Sequence, residues 1–77
     1  MELDKIRSLI EDALPGSQVT VTGDGRHFDA LVVSDAFAGK TLIQRHRMVL
    51  EAVHDRIASE ELHAISIKAK TPAEVAA

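Results

Sequence analysis

The chain has 77 residues, a net charge of −3, no cysteine and only two aromatic residues, Phe28 and Phe37. That length allows one small domain with a modest core. The missing thiols exclude a disulfide framework, a thiolate zinc site and a cysteine nucleophile. Few aromatics and a negative balance argue against base stacking and against attraction to polyanions by the chain as a whole.

Leu3, Ile6, Leu9, Ile10 and Ala13 recur at helical spacing, so residues 3 to 14 read as an amphipathic helix that stops at Pro15-Gly16. Gln18 to Thr22 alternates Val19 and Val21 with Thr20 and Thr22, which is a strand pattern. Gly23-Asp24-Gly25 turns the chain into a second strand, about His27 to Ser34, forming a hairpin. Asp35 to Gly39 connects to a long helix, Thr41 to Ser59, whose expected buried stripe is Leu42, His46, Val49, Leu50, Val53 and Ile57. On that wheel His46 reads as a partly buried histidine, and Arg45 and Arg47 point away from the stripe. His54 reads as exposed. Ser59 to Leu62 is a loop, and Ala64 to Lys70 a third strand with Ile65, Ile67 and Ala69 on one face. Thr71-Pro72-Ala73-Glu74 has the spacing of a capping box and starts a short terminal helix.

The expected architecture is a single α/β (α+β) domain over residues 1–77. Its order is α-β-β-α-β, with a three-stranded mixed sheet and its helices on one face. No apolar run approaches membrane-spanning length. The N-terminus lacks the pattern of a secretion signal, so a cytoplasmic protein is expected.

A helix between the second and third strands normally makes them parallel. Both would then begin at one edge of the sheet. His27 begins the second strand and His63 precedes the third, so two imidazoles would share that edge, within reach of one metal centre or a docked partner. Asp24 lies nearby, but its hard carboxylate suits a soft metal centre less well than imidazole does. Lys40, Arg45, Arg47 and Lys68, with Arg26, are the candidate basic surface for a partner or nucleic acid. No nucleophile elbow, Walker loop or paired carboxylates indicate catalysis, so an enzyme is not expected.

Gly23-Asp24-Gly25-Arg26-His27-Phe28, Val32-Val33-Ser34, Phe37-Ala38-Gly39, Gln44-Arg45-His46-Arg47 and His63-Ala64-Ile65-Ser66-Ile67-Lys68, leading into Thr71-Pro72, occur in this order. In that combination the chain resembles the BolA family over nearly its whole length. The resemblance implies a fold like the type II KH domain. It also implies a heterodimer with a monothiol glutaredoxin, sharing a bridging [2Fe-2S] cluster for iron-sulfur trafficking or iron regulation. The glutaredoxin cysteine and glutathione would ligate one side, and histidine of this chain the other, with no cofactor in the isolated chain. His63 matches the family's C-terminal ligand histidine. The loop that carries a second His or Cys in many relatives is reduced here to Gly23-Asp24-Gly25-Arg26, which leaves His27 as the second candidate. The alternative is a KH-like regulator of transcription or stress that binds DNA or RNA. KH domains clamp the backbone with a Gly-x-x-Gly loop, and the glycines here, at 16, 23, 25 and 39, make no such tetrapeptide.

Overall fold

A computed structural model describes residues 3–24, 26–54 and 65–76. Helix α1 runs Leu3–Ala13, strands β1 and β2 run Gln18–Gly23 and Phe28–Val33, and a short 3-10 turn covers Asp35–Phe37. Helix α2 follows at Leu42–Val53, strand β3 at Ile65–Lys70 and helix α3 at Pro72–Ala76. The α-β-β-α-β order and the mixed sheet are as expected. Strand order is β1-β2-β3, antiparallel between the first pair and parallel between the second.

The register explains which residues form the core. Val19 pairs with Val32 and Val21 with Ala30, while Ala30 pairs with Ile67 and Val32 with Ala69. Because side chains alternate across a strand, these pairs line one face. Helix α1 closes over them with Ile6 and Ile10, and α2 with Val49 and Val53. Thr20, Thr22, Asp29, Ser66 and Lys68 occupy the opposite, polar face and are exposed. Phe37 from the connector is fully buried in the same core.

The chain leaves α1 through Gly16, at φ 84°, a left-handed conformation that costs glycine little. Helix α2 begins with a reciprocal cap. Thr41 Oγ1 accepts from the Gln44 N–H at 3.1 Å, and Gln44 Oε1 accepts from the Thr41 N–H at 2.9 Å. Two backbone donors that a helix start would leave unpaired are thereby satisfied.

Part of the expected stripe of α2 is buried, with Val49 and Val53 inside and Leu50 half-buried, but its first turn is not. Arg45, Val49 and Val53 are buried, flanked by half-buried Met48 and Ala52. Leu42 and His46 are exposed instead. Both rows obey helical spacing, so periodicity alone does not choose between them; packing against β3 and α1 does. The expected continuation of this helix to Ser59, including Ile57, and the 59–62 loop lie outside the described residues.

Candidate functional site

The β1–β2 turn is organised by Asp24. Its Oδ1 accepts from the N–H of Arg26 at 2.8 Å and of His27 at 2.9 Å. Its own N–H donates to the His27 carbonyl at 3.2 Å. The His27 and Arg26 N–H groups hold the Asp24 carboxyl below its ordinary range, and the nearby imidazole adds to this. At Gly23 a Cβ would lie 2.5 Å from the His27 carbonyl oxygen and 2.9 Å from the Phe28 ring. Position 23 therefore depends on glycine for close backbone approach rather than for a positive φ. These contacts fix the His27 backbone at both N–H and C=O. Its imidazole is exposed and, among the described residues, forms no hydrogen bond.

Parallel pairing sets Phe28 opposite Ile65, so β2 and β3 begin at the same edge, on strands about 4.8 Å apart. His27 stands at that edge, one residue before Phe28. His63, two residues before Ile65 in sequence, lies outside the described residues. Among the described residues, no group of three His, Asp or Glu side chains is arranged to hold a metal ion.

Arg45 corrects the expected basic surface. It is buried, at 8% exposure. Its Nε donates to the Lys40 carbonyl at 3.0 Å, and its Nη1 donates to the Ala69 carbonyl at 3.2 Å and to Glu74 Oε1 at 2.7 Å. One turn before Val49 on the buried face, the aliphatic stem packs inward while the guanidinium reaches the Lys40 carbonyl in the connector and the Ala69 carbonyl near the end of β3. It is a clamp between the connector, β3 and α3. Lys40, Arg47 and Lys68 are exposed. Arg26, also exposed, sits at the hairpin turn before β2. Lys40 enters α2 beyond the far end of that strand, so the two do not share a patch.

The expected Thr71–Glu74 box is present, with Glu74 Oε1 accepting from the Thr71 N–H at 2.7 Å and Thr71 Oγ1 from the Glu74 N–H at 3.3 Å. The Arg45 guanidinium, with help from the Thr71 N–H, lowers the Glu74 pKa from 4.5 to about 2. This depression stabilises the fold fully above the unfolded carboxyl's range, and the gain is lost as pH falls from about 4.5 through about 2. Urea unfolding of wild type and Glu74→Gln at pH 6, 4 and 2.5 should show wild type more stable at pH 6. The difference should shrink towards the lowest pH; a constant difference would contradict the assignment.

Among the described residues, no helix is long and apolar enough to cross a membrane. Residues 7–74 match the family described as BolA-like protein. The chain is 40% identical over 74 residues to the acid stress protein IbaG of Escherichia coli K12, covering 96% of this chain and 88% of that protein. It is 44% identical over 81 residues to SufE-like protein 1 of Arabidopsis thaliana, covering 96% of this chain and 22% of that longer protein. The structure of a bolA protein homologue from Coxiella burnetii superposes with a TM-score of 0.87 at 37% identity, covering 100% of this chain and 99% of that one. Yeast Fra2 gives a TM-score of 0.75 at 38% identity, covering 97% of this chain and 84% of that one. With the family match spanning most of the sequence and the fold shared throughout, this chain belongs to the BolA-like protein family.

Proposed function

We propose that this chain is a cytoplasmic, non-catalytic partner of a monothiol glutaredoxin, and that it co-ligates a bridging [2Fe-2S] cluster through His63, with His27 as the second candidate donor. The observation that carries the reading is the Phe28–Ile65 register, which starts β2 and β3 at one edge. Imidazole suits the iron of a [2Fe-2S] centre, as histidine replaces thiolate in Rieske clusters. The chain has no thiolate to contribute, so the cluster's thiolate ligands must come from the partner's cysteine and from glutathione. The exposed His27 ring, on a backbone tied by Asp24, is compatible with a donor presented outward to a partner. A site with nitrogen donors on one protein and sulfur donors on the other forms only when the two meet. That suits transfer of a cluster or sensing of iron better than permanent storage.

Nucleic-acid binding is the weaker reading. It keeps Lys40, Arg47 and Lys68 but loses Arg45, whose guanidinium is committed inside the fold.

The test is reconstitution of the mixed proteins with iron, sulfide and glutathione, followed by visible absorption and circular dichroism. The mixture should give a spectrum distinct from that of the glutaredoxin cluster alone. His63→Ala should return the spectrum to the glutaredoxin-only form. An unchanged spectrum on mixing, or full retention in His63→Ala, overturns the proposal.

A further inference from the structure

A groove of about 450 Å³ runs between the start of α2 and the outer edge of β3. Its lining includes Leu42 and His46 on the helix side and Ile67 to Lys70 on the strand side. It borders the later residues of β3, away from the edge where β2 and β3 begin. Leu42 is 78% exposed, an apolar side chain open to solvent at the groove.

The strand side offers backbone as well as side chains. Among the described residues, β3 is the edge strand of the sheet. The Lys70 carbonyl accepts from the Ser34 N–H at 2.9 Å, so Lys70 turns its polar groups towards β2. By the alternation of a parallel ladder, Ile67 and Ala69 turn theirs outward. Arg45 takes the Ala69 carbonyl. Among the described residues, the Ile67 N–H and C=O and the Ala69 N–H have no partner on that outer side.

Cations outnumber acids around the groove. Lys68 and Lys70 border it, and in sequence the exposed Lys40 and Arg47 flank the α2 stretch that supplies Leu42 and His46. Glu74 in its wall is already held by Arg45. This concentration is local, because the chain as a whole carries −3.

We propose that this groove binds an extended, acidic segment of a partner polypeptide, which adds to the sheet as a fourth strand beside β3. The register of the faces sets the sequence it would take. Residues of the added strand beside Ile67 and Ala69 point to the helix side, where Leu42 waits. Residues beside Lys68 and Lys70 point to the polar face. The favoured segment therefore alternates apolar and acidic residues. A second copy of this chain fits poorly, since its own β3 would bring Lys68 and Lys70 against the same lysines. The inference does not depend on the cluster reading, because it uses neither histidine of the other edge.

The test selects binders to the intact chain from a displayed library of random dodecapeptides, then maps a selected peptide by amide chemical shifts and hydrogen exchange. Selected peptides should alternate apolar with acidic residues, slow exchange of the Ile67 and Ala69 amides, and bind His63→Ala as well as wild type. Leu42→Asp and Lys68→Glu, both at exposed positions, should each weaken binding tenfold or more while leaving the thermal midpoint nearly unchanged. Peptides of no common acidic pattern, amide changes confined to other elements, or undiminished binding by Leu42→Asp overturn the proposal. So does a twelve-nucleotide oligouridine that occupies the groove when no selected peptide does.

Discussion

Phe37→Ala is expected to cost about 3–5 kcal/mol, as truncating a buried phenylalanine does. The ring is fully buried in the core shared by both main helices and the sheet. A domain of this size has only about 4–12 kcal/mol in total at typical per-residue values. The variant should therefore be partly unfolded at 37 °C, with a much lower urea midpoint. The cost is high because the ring is set by a rigid local frame. Ser34 Oγ accepts from the Ala36 N–H at 3.1 Å and starts the 3-10 turn. The Lys40 N–H then donates to the Phe37 carbonyl at 3.1 Å, and Gly39 supplies the left-handed φ of 74° between them. The Phe37-Ala38-Gly39-Lys40 signature is thus an anchor that delivers the chain to the Thr41 cap. A loss below about 1 kcal/mol would contradict its placement in the core.

Arg45→Met is expected to cost about 2–4 kcal/mol, mainly from charge-assisted bonds lost at the Lys40 and Ala69 carbonyls. Methionine retains much of the packing volume, so the loss reports the polar contacts. Glu74→Gln should cost less, because it leaves both carbonyl bonds of Arg45 in place. Urea unfolding of the two variants separates a carbonyl clamp from a simple ion pair, for which the costs would be equal. Hydrogen exchange adds a spatial readout. In Arg45→Met the Glu74 and Val75 amides, which close α3 onto the Thr71 carbonyl, should exchange faster.

These residues also mark what could be read along the chain. The hairpin, the parallel pair and the Thr71–Glu74 cap rest on contacts near in sequence or on the order of elements, and each was legible. The capping box of Thr41 was equally local, but Gln44 sits among Arg45, His46 and Arg47, where its charged neighbours suggested a surface motif. Arg45 was not legible. It reaches partners 5, 24 and 29 positions away, and nothing in its local pattern separates a clamp from a solvated arginine. Leu42 illustrates the converse. An apolar residue at helical spacing reads as core, yet tertiary packing turned the adjacent row inward and left Leu42 at the mouth of a groove. Of the candidate metal donors, His27 stands where the topology required. His63 lies outside the described residues, so the proposal of a ligand role for it rests on the register of β3 and on its match to the family.

The most direct test of the histidine edge is nitrogen hyperfine coupling. This chain, with its histidines alone labelled with ¹⁵N, would be reconstituted with the unlabelled glutaredoxin and glutathione, and the reduced cluster measured by pulsed electron paramagnetic resonance. The account predicts a strong ¹⁵N coupling to the iron that is lost in His63→Ala, or reduced to that of a single remaining imidazole where His27 also binds. No ¹⁵N coupling in the wild-type complex, or one that survives that substitution unchanged, would contradict it.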